Sequence, residues 1–495
     1  MEAQLYAIQD SIAAFTPELI LLGGLIVILI VGFFKPQNNS ALIVGMICFG
    51  AAFATVNFAG RGGSLFGNMV SNHGFSDFLK LLVDFSAILT CIMAFDRSQI
   101  FRHRNEFVFL LVTVVLGAHL LLMSNHLLMI FLSMEVVSIG SYILVAFSFD
   151  KFASEGSLKY FLFGATASAV MLYGFSLLYG VGGSVDISAT GFANARADKE
   201  SIVLIGGCMA LAGFLFKMSA APMHPWVPDV YQAAPFPVIA FLSTVPKLAG
   251  VGAMARFVVA LNGSGDIDWP AIIALLAIIS ITVGNVAALA QKNPKRLMAY
   301  SSIAQSGFLA VGIAAFLPQG LQFTLFYAAV YVLMNFSVFV YLAFFEARGL
   351  KTIDDFAGSG RLYWFPLSLL VIGLIALTGL PPTAGFTGKV FIFSSVWESY
   401  QITGKFILVW LLVLGLLNTV ISLFYYLKIP YYAFLKRPQA FEPPAEAIVP
   451  ESDPKTGNFV SVENLLGLIL VLLILVLFLA PGLLMGWINK VNFAF

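Results

Sequence analysis

Residues 213–250, GFLFKMSAAPMHPWVPDVYQAAPFPVIAFLSTVPKLAG, decide how this chain is read. Two apolar runs flank a group of prolines, Pro222, Pro225, Pro228, Pro235 and Pro237. Each run carries a lysine, Lys217 before the group and Lys247 after it. Proline removes a backbone donor and clashes with the preceding turn, so the first run reads as a helix that breaks. In lipid, irregular backbone survives only where protein buries it or water reaches it. The stretch therefore predicts an internal, hydrated cavity at membrane depth that holds a lysine.

Composition requires the membrane. The chain has 495 residues, 60% hydrophobic and 10% charged, with a mean hydropathy of +0.94. A soluble domain carries roughly 25% charged residues, so a water-exposed surface is not available here. A net charge of +1 gives nucleic acid no electrostatic footing. Cys48, Cys91 and Cys208 lie in separate apolar runs with no CxxC, which excludes cysteine-ligated clusters and argues against a disulfide framework. No metal-ligand cluster, phosphate-binding loop or dinucleotide fingerprint occurs, so redox or nucleotide chemistry is expected in other chains.

A crossing needs about 20 mostly apolar residues. Fourteen stretches qualify, near 17–34, 41–59, 78–95, 106–123, 127–148, 157–180, 201–219, 237–260, 270–290, 297–316, 320–346, 365–387, 405–430 and 460–487. The fold class is an all-α polytopic membrane protein. Near Pro17 the first run follows Glu2 and Asp10 with no Lys or Arg, so it lacks a signal peptide's basic region and reads as a retained helix. With the N-terminus outside, the inner loops collect fifteen of the 26 basic residues and the outer side seven, among them Lys80 and Arg256 at helix ends. Both termini then face outward.

Four lysines remain: Lys159, Lys217, Lys247 and Lys389. At about 1.5 Å per residue, Lys247 lies roughly 15 Å inside its helix, and Lys217 and Lys389 about 18 Å from the nearest polar end. Glu135 lies about 12 Å inside its own. Each central charge costs at least about 2.5–3.5 kcal/mol, so such residues line ion paths or pair with each other. Burial disfavours the charged form of a lysine and a nearby carboxylate favours it, a balance suited to proton relay. Lys159 lies near its helix start and reads as snorkelling to the interface. A static ion pair is the plain alternative for Glu135 with Lys217. Asp84 in LLVDFSAIL reads equally as a packing or a water-binding residue. His119 reads as a hydrogen-bonded core histidine, while His224 in the broken stretch reads as a relay group.

The second break is GLPPTAGFTGKVFIF at 379–393, where Pro381, Pro382, Gly385 and Gly388 precede Lys389. Paired interrupted segments in corresponding halves point to an inverted-repeat transporter. These two motifs, with FLSMEVVSIGSYILVAF at 131–147 and KRLMAYSSIAQSGF at 295–308, resemble the antiporter-like membrane subunits of respiratory complex I. The string DVYQAAP and the lysine at 389 are most similar to the N-type branch, called subunit 2 in organelles (the NuoN type).

The resemblance implies two inverted five-helix repeats with helices 7 and 12 broken. The divisions are 1–105, three N-terminal helices; 106–262, the first repeat; 263–432, the second repeat; 433–459, an inner polar loop; and 460–495, the last helix. It implies proton translocation along Glu135, Lys217, Lys247 and Lys389, entering toward Lys247, passing Lys217 and central water, and leaving by Lys389. The work would be driven by quinone reduction elsewhere, with flavin, iron–sulfur clusters and quinone held by other subunits and none in this chain. NuoK-like and NuoM-like neighbours, the lipid bilayer, protons and internal water are the expected partners, in a bacterial inner membrane. A subunit of a multisubunit cation/proton antiporter is the alternative. Gln305 stands where relatives commonly carry a histidine, and glutamine does not titrate.

Overall fold

The computed structural model describes residues 2–34, 39–56, 63–95, 103–187, 200–262, 267–436 and 462–491, which are helical almost throughout. In chain order they are α1 (Glu2–Ala14), α2 (Thr16–Phe34), α3 (Ser40–Thr55), a hairpin of β1 (Gly63–Leu65) and β2 (Val70–Asn72), α4 (Gly74–Ala94), α5 (Arg104–Met123), α6 (Leu127–Val145) and α7 (Lys151–Gly182). Then come α8 (Glu200–Met218), α9 (Val227–Ala233), α10 (Phe236–Leu261), α11 (Trp269–Leu289), α12 (Pro294–Ala314) and α13 (Pro318–Glu346). The last are α14 (Trp364–Thr378), α15 (Ala384–Thr403), α16 (Phe406–Tyr426), α17 (Lys428–Phe434), α18 (Val462–Leu479) and α19 (Gly482–Ile488). Eleven helices among the described residues are long and apolar enough to cross a membrane.

Local sequence sets many of the helix starts. Prolines occupy the first turn of α10, α11, α12 and α13, where no intrahelical donor is missed. Asn293 caps α12 by accepting from the Lys295 and Arg296 backbone N–H groups at 2.8 and 3.3 Å, and Asp150 caps α7 by accepting from Ala153 at 2.7 Å. Small residues let helices approach. A side chain at Gly174 of α7 would begin 2.5 Å from the Gly206 carbonyl oxygen of α8.

Burial runs opposite to a soluble bundle's periphery. The apolar windows of α10 and α13 are wholly buried, and these two helices pack on each other at the centre. Outer helices turn large apolar side chains outward, including Leu132, Ile139, Phe161, Leu416, Val420 and Leu472. Such a surface suits lipid or another subunit.

Several expectations need revision. The run 157–180 begins earlier, at Lys151, because Asp150 caps it. The run 365–387 is two helices, and the second continues to Thr403. Lys80 and Arg256 are not surface helix ends: they are 1% and 4% exposed. Most of the polar loop 433–459, and the basic residues Lys35, Arg61, Arg97, Arg102, Arg196, Lys199, Arg437 and Lys455, lie outside the described residues.

Candidate functional site

The first break spans the turn between α8 and α9. Lys217 ends α8, and Ser219 takes φ +62° to turn the chain. The freed backbone finds partners within protein: the Ala221 N–H donates to Ser280 Oγ of α11 at 2.6 Å, and Ser306 Oγ of α12 donates to the Met218 carbonyl. This meets the requirement that no backbone polar group be left to lipid. Lys217 is 1% exposed, and its Nζ donates to Ser138 Oγ of α6 at 2.6 Å. Three residues before Ser138, Glu135 is half-buried and accepts from Ser168 of α7. A cavity of about 10 Å³, lined by Met218, Ala220 and Ser306 among others, lies at this break.

Lys247 lies in α10 directly after Pro246, which interrupts the helical hydrogen bonding. Tyr331 of α13 donates to the Ser243 carbonyl at 3.0 Å. The Lys247 Nζ donates to the Ser302 carbonyl at 2.6 Å and to Ser302 Oγ at 2.7 Å. Ser302 also meets the Tyr231 hydroxyl at 3.0 Å, and the Lys247 ammonium sits 5.2 Å from the Tyr331 ring centre.

At the second break α14 ends at Thr378, and Gly379 turns the chain with φ +84°. A side chain there would begin 2.6 Å from Lys389 Cδ, so glycine is needed on both counts. The Lys389 Nζ donates to the Thr378 carbonyl at 2.7 Å and the Leu377 carbonyl at 3.4 Å. The broken end of α14 thus supplies its open carbonyls, the negative pole of a helix, to a cation. Phe308 lies under the same ammonium at 4.2 Å. A cleft of about 380 Å³, lined by Gly379, Phe386, Lys389, Trp397 and Leu416 among others, reaches this lysine.

One helix touches all three sites. Along α12, Ser302 holds Lys247, Ser306 holds the Met218 carbonyl beside Lys217, and Gln305 Nε2 donates to the Leu377 carbonyl at 3.1 Å, beside Lys389. Tyr327 donates to Gln305 and the Ser301 hydroxyl meets Tyr426, so polar groups continue along the helix. Lys217 also packs against Gly250 of α10, one turn from Lys247. The helix that carries Lys247, α10, packs against both α8, which carries Lys217, and α13.

Other candidates fall elsewhere. Lys159 is 42% exposed and ion-paired to Glu155 at 3.0 Å and Asp229 at 2.9 Å, while Arg296 meets Asp229 at 2.8 Å. It ties α7 to α9, which follows the break. His224 is half-buried, makes no hydrogen bond through Nδ1, and is linked to none of the three lysines by a hydrogen bond. Asp84 and His119 belong to a separate buried cluster with Glu18 and Lys80. The residues that sequence reasoning missed are Ser138, Ser302, Tyr231 and Tyr331, whose types are common in any helix.

Residues 124–415 match the family described as NADH:quinone oxidoreductase/Mrp antiporter, TM. The chain is 36% identical over 449 residues to NADH-quinone oxidoreductase subunit N 2 of Chloroherpeton thalassium, covering 87% of this chain and 86% of that protein. It is 37% identical over 449 residues to subunit N of Chlorobium chlorochromatii, with the same coverage of 87% and 86%. Among solved structures, a chain of respiratory complex I from Thermus thermophilus superposes with a TM-score of 0.78 at 29% identity, covering 96% of this chain and 100% of that one.

Proposed function

The chain belongs to the NADH:quinone oxidoreductase/Mrp antiporter membrane family, and from that premise we propose that it is a membrane-arm subunit of a proton-pumping NADH:quinone oxidoreductase whose protons travel along Lys217, Lys247 and Lys389. The polar face of α12, in reach of all three lysine positions, is the observation that carries this reading.

The chemistry assigned to this chain is acid–base only. Each ammonium rests on neutral oxygens: a serine hydroxyl for Lys217, a carbonyl and hydroxyl for Lys247, and two carbonyls for Lys389. These oxygens stabilise a charge without neutralising it, so each lysine exchanges a proton when its surroundings shift. Glu135, one turn from Ser138 on α6 and half-buried, is placed to bias the Lys217 end of the row. Axes of neighbouring helices lie about 8–10 Å apart, so water has to bridge the hops. Moving one proton against 100 mV costs about 2.3 kcal/mol. That equals roughly a fifty-fold change in a proton-binding constant, within reach of one displaced charge.

The redox work, with flavin, iron–sulfur clusters and quinone, belongs to other subunits. Fourteen crossings, ten of them in two inverted five-helix repeats, both termini outside, and contacts with NuoK-like and NuoM-like neighbours complete the proposal. Purification from native membranes tests the assembly: flavin and iron–sulfur subunits are expected to accompany the chain, and a set of cation/proton antiporter subunits instead would contradict it. In vesicles bearing the whole complex, Lys217→Ala is expected to cut NADH-driven proton pumping severalfold. Undiminished pumping would end the relay assignment.

A further inference from the structure

A second group of ionisable side chains lies apart from the lysine row, among α2, α4 and α5. Glu18, Asp84 and His119 are 0% exposed and Lys80 is 1% exposed. The His119 ring lies between two carboxylates, with Nδ1 at 3.1 Å from Glu18 Oε1 and Nε2 at 3.3 Å from Asp84 Oδ1. Lys80 Nζ lies 3.0 Å from the same Glu18 oxygen and 3.6 Å from Asp77. Both Asp84 oxygens, His119 Nε2 and Glu18 Oε2 are buried without a hydrogen-bond partner.

Counting donors gives the consequence. A neutral imidazole carries one N–H and faces two acceptors here. It satisfies one carboxylate and points a lone pair at the other, which is costly without water. One further proton, on the ring or on a carboxyl, gives every facing pair a donor and an acceptor. We propose that Glu18, Asp84 and His119, with Lys80, form a second proton-binding site that holds one exchangeable proton and opens toward the hairpin side of the chain.

The outward route runs through Lys80. Its ammonium donates to Asn72 Oδ1 of β2 at 3.0 Å, and Asn72 in turn donates to the Ala14 carbonyl at 3.1 Å. Beyond it, Ser71 meets His73 at 2.8 Å and accepts from Arg256 of α10 at 2.8 Å. Other titratable groups facing the cluster are Asp77 on α4 and Cys48 on α3, within electrostatic reach of Asp84. On its other contact, α13 brings no Asp, Glu, Lys, Arg or His before Glu346. From α10, which packs against both α4 and α5, the charged residues are Lys247 and Arg256.

Infrared difference spectra between alkaline and acid buffer test this directly, on the whole complex in vesicles. His119→Gln and Asp84→Asn are each expected to abolish a carboxyl–imidazole change seen in the unaltered complex, while Lys389→Ala keeps it. Persistence of that change in both variants overturns the proposal. Where the single variants fail to assemble, the double variant H119N/D84N keeps neutral hydrogen-bonding groups in place. Failure of every variant to assemble makes the cluster structural and also overturns it. Because the spectra read the cluster itself, a negative result leaves the lysine relay standing, and a failed relay leaves this site standing.

Discussion

Ser302 accepts from Lys247 through both its carbonyl and its hydroxyl, so it is where a single side chain most directly sets the state of a buried ammonium. Ser302→Ala removes one acceptor from a fully buried cation. The expected cost is about 1–3 kcal/mol of stability, read as a lower melting temperature of the purified complex, together with slower pumping. Wild-type values on both counts would mean that the serine is incidental. At this scale the sequence was informative where cost is high. Lys217, Lys247 and Lys389 stood out because an ammonium far from either surface needs compensation. Lys80 and Glu18 did not, since each lies within two turns of a helix start and a short distance from an end looks affordable. Their burial comes from the hairpin and α5 folding over them, a tertiary fact. The spacing of Asp77, Lys80 and Asp84 on one helical face was the available signal.

Helices and their junctions carry the next level. Gly174 of α7 and Gly206 of α8 bring two helices to backbone contact. Gly174→Leu is expected to destabilise the pair by about 1–3 kcal/mol through overpacking, seen as a drop in assembled complex; full assembly would show that the contact tolerates separation. The hairpin beside α4 gives a pH test. Burial, with the Arg256 guanidinium beside it, pulls His73 from its ordinary 6.5 to about 4. The folded state thus prefers the neutral ring. Its contribution is full above pH 6.5 and is lost as pH falls toward 4. His73→Asn is expected to flatten that part of the stability–pH curve measured by thermal unfolding, and an unchanged curve would place the loss elsewhere. The breaks were legible because proline has one backbone meaning in an apolar helix. The role of α12 was not, because Ser301, Ser302 and Ser306 are ordinary helix residues until their neighbours are known.

For the molecule as a whole, the arrangement is a buried pair, α10 and α13, with broken helices on either side and α12 reaching all three lysine sites. Hydropathy marked the helical stretches, since each has to be apolar for its length. It did not show that α10 packs against both α8 and α13, because packing across a bundle does not follow from position along the chain. On the proposed route Lys247 is the lysine held through both oxygens of a single α12 residue, Ser302. The decisive measurement is therefore NADH-driven proton pumping, normalised to quinone reduction, in vesicles carrying the assembled complex with Lys247→Met, a side chain of similar length without the charge. A severalfold fall in protons moved per quinone reduced is expected, with assembly intact. Pumping at the unaltered ratio would remove Lys247 from the path, and the row with it.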